Sequence, residues 1–177
     1  MTKKRNQGEK LRLKARQENL TGILETELAA HGIAVGIWKR NNAGEADFTK
    51  GTVDIPKPKN DYTLGVAFHE IGHIFHNRQN ASYITLPEYH MEYTAEIFAI
   101  AKLREYGLQT REYRAYATKY VLTCLSRYKN RGGDMSIVPK EIIKWTGLKM
   151  RKWNEARRIT VRDEVVSHIA DIRIDYK

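Results

Sequence analysis

A five-residue segment, His69-Glu-Ile-Gly-His73, places two imidazoles and a carboxylate at a spacing that suits metal chemistry. Residues four apart in an α-helix differ by about 40° around the axis and about 6 Å along it, so both histidines can face one ion. Glu70 lies about 100° around the helix from His69, where it can act as general base on a water molecule without being a ligand. These residue types are typical of zinc-dependent peptide hydrolysis. The alternative is a solvated helix face with two unremarkable histidines.

A catalytic zinc ion needs a third protein ligand and one open position. The downstream candidates are Glu88, His90, Glu92 and Glu96. Glu92 and Glu96 are four residues apart on one predicted helix face, so one could bind the metal while the other accepts the distal ring hydrogen of a ligating imidazole. His90 is the rival third ligand. The alternative for the glutamate pair is again a solvated helix face.

Other residues near this segment could support the reaction. His76 shares the predicted metal-facing side but lies about 10 Å further along the axis than His69, so we expect it to form a hydrogen bond rather than bind the ion. A hydrogen bond to a developing oxyanion could come from a tyrosine, and the candidates are Tyr83, Tyr89 and Tyr93. Each of the three could instead be a packing residue. The strand region Gly51–Ile55 is a candidate edge strand for pairing with an extended substrate.

Two segments in register resemble the ImmA/IrrE family of metallopeptidases. They are His69-Glu-Ile-Gly-His-Ile-Phe-His76 and Glu92-Tyr-Thr-Ala-Glu-Ile-Phe-Ala99. That family has an HExxH helix, often with a further histidine three residues on, and then an E-x-x-A-x-x-F-A helix. The second pattern is matched at Glu92, Ala95, Phe98 and Ala99. The resemblance covers roughly residues 33–108.

The resemblance implies that Glu92 is the third ligand and that Glu96 is a supporting residue beside a ligating histidine. It also implies a zinc peptidase with a narrow protein substrate, such as a DNA-binding transcriptional repressor, as in phages, other mobile elements and stress responses. The family often continues into a Leu-Leu-Met-Pro segment, whereas this chain reads Ile100-Ala-Lys-Leu-Arg-Glu105. The identity of the substrate is therefore not carried over.

The pattern of apolar residues predicts the elements that position these side chains. Asn60 or Asp61 can cap a helix over Tyr62–Asn77, in which an apolar stripe faces the core. That stripe consists of Leu64, Phe68, Ile71 and Phe75. The other predicted elements are helices over Leu11–His31 (with Gly22 as a candidate break), Glu88–Tyr106 and Thr110–Lys129, and strand regions over Ile33–Lys39 and Asp47–Ile55.

These elements predict an α+β, zincin-like fold with a small twisted sheet, an HExxH active-site helix and a helical C-terminal part. The predicted divisions are a basic N-terminal helical segment over residues 1–32, a metallopeptidase domain over 33–130 and a small basic helical region over 131–177. A chain of 177 residues suits one compact domain with a small appendage.

Cysteine content and hydropathy bear on the compartment. Cys124 is the only cysteine, which excludes an internal disulfide or a thiolate zinc cluster and fits a reducing environment. No apolar stretch follows the basic N-terminus, so a secretory signal is not predicted. The longest apolar runs, such as residues 64–68 and 97–101, are too short to span a bilayer. We therefore expect a cytoplasmic protein without a membrane partner.

The formal net charge of +10 is concentrated near the two ends of the chain. Residues 1–16 hold seven Lys or Arg against one Glu. Residues 139–158 have the outline of a helix-turn-helix, with a tight turn at Thr146-Gly147 and a basic second helix that could enter a major groove. The candidate nucleic-acid contacts are Lys149, Arg151, Lys152, Arg157 and Arg158. The alternatives are two packing helices, or a basic surface that only keeps the chain soluble.

Three functions therefore compete at the level of the sequence. The first is an intracellular zinc peptidase that cleaves a specific protein. The second is a catalytically silent zincin that acts as an antirepressor or another protein-binding or DNA-binding module. The third is a DNA-binding protein in which the metal is structural. An intact Glu70 favours the first, because a structural zinc ion does not need a general base.

Overall fold

Residues 7–148, which a computed structural model describes, form five helices and three strands. These are α1 (Gln7–Ala30), β1 (Ala34–Lys39), β2 (Glu45–Asp47), β3 (Thr52–Pro56), α2 (Asp61–Gln79), α3 (Glu88–Glu105), α4 (Arg111–Asn130) and α5 (Lys140–Thr146). Short 3-10 turns at Ala81–Thr85 and Met135–Ile137 precede α3 and α5. The predicted α+β class is confirmed, and helix predominates over sheet.

The sheet places β3 in the centre. Its strand order is β1-β3-β2, with β1 parallel to β3 and β2 antiparallel to it. The prediction that Gly51–Ile55 offers an edge for substrate was therefore wrong, since β3 is paired on both sides. Within the described residues, β2 pairs with β3 alone and is the edge strand that contacts α2.

The region Asp47–Ile55, predicted as one strand, contains a reversal. The Asp47 carboxylate accepts hydrogen bonds from the backbone N–H groups of Thr49 and Lys50 at 3.0 and 2.9 Å. Gly51 closes the turn with a φ of +64°, a backbone conformation that favours glycine. The chain therefore ends β2 at Asp47 and begins β3 at Thr52.

Helix α2 forms the centre of the molecule. It begins after Asn60, whose side chain accepts from the Thr63 N–H while the Thr63 hydroxyl accepts from the Asn60 N–H, a capping box. Residues 63–74 are all buried, so the helix is covered all round and not only along the predicted stripe. Gly72 contributes to this packing, because a Cβ there would lie 3.1 Å from the Phe98 ring of α3.

Only the second half of α1 packs onto this centre. Leu20, Leu24 and Leu28 are buried in the main core, whereas residues 7–19 are exposed. The Glu27 carboxylate fixes α1 to the end of α3, since it accepts from Lys102 Nζ at 3.1 Å and from the Tyr106 hydroxyl at 2.7 Å. The helix continues through Gly22 without a break.

A second apolar cluster joins α4 to α5. It includes Val121, Leu125 and Ile142, and Trp145 packs against both clusters. Helix α5 ends at Thr146 and is capped by Gly147, which is in the left-handed conformation. The first helix and the turn of the predicted helix-turn-helix are therefore present. The second helix and the candidate nucleic-acid contacts Lys149, Arg151, Lys152, Arg157 and Arg158 lie outside the described residues. In the part that is described, no helix has the length and apolarity needed to cross a membrane.

Candidate metal centre

Three side chains from two helices converge at one point beneath the sheet. His69 Nε2 and His73 Nε2, both from α2, are 3.0 Å apart. Glu92 Oε2 of α3 lies 3.0 Å from His69 Nε2 and 3.6 Å from His73 Nε2. Within residues 7–148, Glu92 Oε2 is buried without an aligned hydrogen-bond donor. Two unprotonated imidazole nitrogens and a carboxylate oxygen at these distances repel one another unless a cation or a proton lies between them.

Glu70 belongs to the same buried group. The ligand atoms of His69, Glu70 and His73 all lie within 4.8 Å of one another, and this group could hold a metal ion. Glu92 Oε2 also lies well within 4.8 Å of both Nε2 atoms, at 3.0 Å from His69 and 3.6 Å from His73. The two carboxylates therefore compete for the place of third ligand on distance alone, and their electrostatics separate them.

The pKa values of the two glutamates are shifted in opposite directions. Burial raises the pKa of Glu70 to about 7, even though the charge of His69 opposes the shift. Burial would also raise the pKa of Glu92, but its contacts with His69 and His73 hold that pKa down to about 2. A metal ligand must be deprotonated, whereas a general base works best with a pKa near the operating pH. Glu92 fits the first role and Glu70 the second.

The ring of His69 lies beside a buried carboxylate at ion-pair distance, although its Nδ1 has no aligned hydrogen bond in the described residues. His69 Nδ1 faces Glu96 Oε1 at 3.3 Å, and the Tyr113 hydroxyl of α4 donates to Glu96 Oε2 at 2.6 Å. Burial opposes a charge on His69, but Glu96 and Glu92 outweigh it and hold the pKa of the ring well above its ordinary value. A hydrogen on Nδ1 leaves Nε2 with its lone pair toward the convergence point.

The ring of His73 is anchored by a neutral group. His73 Nδ1 lies 2.8 Å from the Tyr83 hydroxyl, which donates to the Met91 carbonyl at 2.8 Å. The hydroxyl therefore accepts from His73 Nδ1–H. Burial lowers the pKa of His73, which favours the neutral ring. Tyr83 supports a ligand in this arrangement, and its hydroxyl is committed to His73 and Met91 instead of the predicted oxyanion.

The remaining predicted residues lie at different distances from the centre. His76 stacks on Tyr83, with ring centroids 5.6 Å apart, and burial lowers its pKa. A hydrogen bond with the Thr94 backbone opposes that shift, whereas His76 Nε2 is buried without a hydrogen-bond partner in the described residues. Tyr89 packs on Tyr128 and Tyr93 on Trp145, both in the second apolar cluster.

The rival ligands are also accounted for. The His90 ring stacks beside Tyr89 in the first turn of α3, and its aromatic contact in the described chain is with that residue and not with the two α2 histidines. Glu88 pairs with Arg127 of α4 at 2.9 Å. The structure therefore brings Glu92 and Glu96 to the histidines and leaves His90 and Glu88 outside.

Three residues of the centre carried no signal in the local sequence pattern. Tyr113 and Tyr120 come from α4, and Tyr120 has its ring centroid 6.4 Å from that of His69. Gly44 precedes β2, and a Cβ built on it would overlap the Glu70 carboxyl group. Backbone therefore covers Glu70 closely from the sheet side. Spacing along the chain does not reveal contacts between residues that are this far apart.

Comparisons of the chain with models of protein families, with curated proteins and with solved structures found no match. The function is therefore argued from the geometry of the centre.

Proposed function

We propose that the protein is a zinc-dependent metallopeptidase in which His69, His73 and Glu92 hold the ion and Glu70 is the general base. The convergence of His69 Nε2, His73 Nε2 and Glu92 Oε2, with a second buried carboxylate beside them, carries the proposal. A site that served only as a structural anchor would not require a carboxyl group whose pKa is raised to about 7.

The spacing of the donor atoms supports zinc. Four ligands at about 2.0–2.1 Å in a tetrahedron lie about 3.3 Å from one another. The three observed separations are 3.0, 3.0 and 3.6 Å. Two imidazoles and one carboxylate form a mixed nitrogen and oxygen site that suits zinc and leaves a fourth position open, as catalytic sites require.

The residues of the chain have separate parts in the reaction. A bound zinc ion would supply Lewis acidity toward the peptide carbonyl and toward a water molecule. Glu70 takes the proton from that water and returns it to the leaving amine, for which a pKa near neutrality is suited. The backbone at Gly44 limits the space available to Glu70, which keeps its carboxyl group beside the centre.

The edge strand β2 is the place that we assign to the substrate backbone. It contacts α2, and Phe48, which follows it, lies with its ring centroid 6.1 Å from that of His73. An extended peptide that pairs with β2 would pass across the centre. The resemblance to ImmA/IrrE peptidases favours a specific protein as substrate, such as a transcriptional repressor. The product of a neighbouring repressor gene is the first protein to test.

The variant Glu70→Gln tests the proposal, because it removes the base while preserving size and metal ligands. We expect the purified protein to carry about one zinc ion per chain, the variant to keep it, and hydrolysis of a proteome-derived peptide library to be lost in the variant. Cleavage is measured as new amino termini by mass spectrometry. Absence of bound zinc even after reconstitution would remove the basis of the proposal.

The same experiment separates the catalytically silent alternative. A zincin that acts only as an antirepressor would bind zinc and a repressor. It would produce no new amino termini, whether the parent protein or the Glu70→Gln variant is used. A DNA-binding protein with a structural metal would also lose its fold when zinc is chelated. The buried and proton-accepting Glu70 favours catalysis over both alternatives.

A further inference from the structure

A basic depression with an exposed tryptophan lies where β1 and β3 end together. These strands are parallel, with Lys39 opposite Pro56, so their carboxyl ends meet at one edge of the sheet. The depression has a volume of about 290 Å³. We name it the Trp38 patch, and it is lined by Trp38, Lys39, Arg40, Pro56, Lys57 and Lys59.

Most of the positive charge of the Trp38 patch is uncompensated. Lys39 pairs with Glu45 at 3.1 Å. For Arg40, Lys57 and Lys59, no carboxylate among the described residues lies within ion-pair distance. Three such cations around one depression, in a chain of net charge +10, attract a polyanion.

The tryptophan identifies the kind of polyanion. The Trp38 side chain is 40% exposed although tryptophan is usually well covered, and Lys57 Nζ lies 5.8 Å from the centre of its ring. An aromatic face between cations is the arrangement on which unpaired bases stack while lysines and arginines contact the phosphates. In a duplex the bases are already stacked on each other, so a surface ring cannot receive one.

We propose that the Trp38 patch binds single-stranded nucleic acid. One base stacks on Trp38 in exchange for the Lys57 ammonium group, and Arg40, Lys57 and Lys59 contact the flanking phosphates. The patch includes neither Glu70 nor the proposed metal ligands, although the charge of Lys39 acts on Glu70. Binding of nucleic acid can therefore be measured whether or not the protein is a peptidase. DNA and RNA offer the same bases and phosphates to these groups, and the experiment includes both.

The test measures anisotropy of labelled 20-nucleotide oligo-dT and oligo-U with the full-length, zinc-loaded protein. We expect Trp38→Ala to weaken binding by about 10-fold, and Trp38→Phe to recover most of the loss because a ring is restored. Lys57→Gln combined with Lys59→Gln should reduce the slope of log affinity against log salt by about 1.4, since each phosphate contact on a single strand contributes about 0.7. Lys39 is left unchanged because its charge also lowers the pKa of Glu70.

Matched controls assign the effect to the patch. Arg114→Gln combined with Lys119→Gln removes the same charge from the exposed face of α4, and we expect binding to stay within about 2-fold of the parent protein at equal salt. Zinc content and the circular dichroism of every variant should match the parent. Unchanged binding by Trp38→Ala would overturn the proposal, as would tighter binding to duplex than to single strands. Loss of binding only in Lys152→Glu with Arg158→Glu, or equal competition by polyglutamate, would also overturn it.

Discussion

The two histidines of α2 reach the same point but are held there by different chemistry. His69 Nδ1 faces the Glu96 carboxylate, which accepts a hydrogen bond from Tyr113. His73 Nδ1 donates a hydrogen bond to the Tyr83 hydroxyl, which in turn donates to the backbone carbonyl of Met91. One anchor is charged and comes from α3 and α4, whereas the other is neutral and comes from the short turn between α2 and α3.

The difference determines how each imidazole responds to a metal ion. A carboxylate on the distal nitrogen makes an imidazole a better donor, because it stabilises positive charge on the ring. It also lets the ring hold a proton in the absence of metal, as the raised pKa of His69 indicates. A hydroxyl orients its ring with little charge transfer, and the pKa of His73 is accordingly lowered by burial. Glu96 thus strengthens His69 as a metal donor, whereas Tyr83 orients the ring of His73.

The largest effect should come from the ligand on which both histidines converge. Glu92→Ala should lower zinc affinity by more than the roughly 10- to 100-fold that is typical of a supporting residue. Competition with a chromophoric chelator measures it. His90→Ala is the matched control, since its ring lies against Tyr89, and it should retain zinc. The opposite result would show that His90, and not Glu92, is the third ligand.

Removing the charged anchor comes next. Glu96→Gln should lower zinc affinity by about 10- to 100-fold, because the amide cannot stabilise charge on His69. It should also change the pH dependence. In the parent protein zinc must displace a proton from His69, whose pKa is raised, so affinity falls as pH falls through that pKa. In the variant that pKa is lower, and calorimetry in two buffers should detect fewer protons released near neutral pH.

Removing the neutral anchor should cost less. Tyr83→Phe removes the hydroxyl that accepts from His73 and donates to the Met91 carbonyl. Loss of the neutral hydrogen bond to the ligand His73 corresponds to about 1 kcal/mol, or about 5-fold in zinc affinity. The ring can remain in place, since it stacks on His76 and meets Phe48 edge-on. The chelator competition described for Glu92→Ala, applied to both Glu96→Gln and Tyr83→Phe, allows a direct comparison. If Tyr83→Phe proved the more damaging change, orientation and not charge would dominate the site.

The smallest effect on zinc is expected from Tyr113→Phe. Glu96 would still face His69, so affinity should fall by no more than about 3-fold. The loss should appear instead in folding stability, by about 1–3 kcal/mol, because a buried carboxylate loses a charge-assisted hydrogen bond of 2.6 Å. Chemical denaturation of the zinc-free protein measures it. A large loss of zinc with unchanged stability would place Tyr113 among the direct determinants of the centre.

The parts of this centre that lie on one element were predictable from sequence. Helix α2 was predicted to begin after Asn60 or Asp61, and the helix begins after an Asn60 capping box. Its spacing predicted that His69 and His73 lie together, because residues four apart share one face of a helix. The helix predicted over Glu88–Tyr106 was also confirmed, as α3 over Glu88–Glu105.

The sequence predictions that failed concern features that depend on contacts between helices and strands. The reversal after Asp47 rests on one side chain that hydrogen bonds to the backbone, and the alternation of residues does not show which strand pairs with which. Tyr113 reaches Glu96 because α4 packs on both α3 and α2, and a Cβ on Gly65 of α2 would overlap the tyrosine ring. An apolar stripe on α2 was too narrow a prediction, since helices and sheet cover it on every side.

Gly72 sets the distance between the two helices that carry the proposed metal ligands. Its missing side chain allows Phe98, and with it α3, to lie close against α2. Because His69 belongs to α2 and Glu92 to α3, the separation of the two helices fixes the 3.0 Å between their donor atoms. A methyl group at position 72 would widen that gap, and we expect the cavity then to shift its preference toward a larger divalent ion such as manganese. In the proposed site, the size of the ion that fits would thus depend on helix packing at position 72, next to the ligand His73.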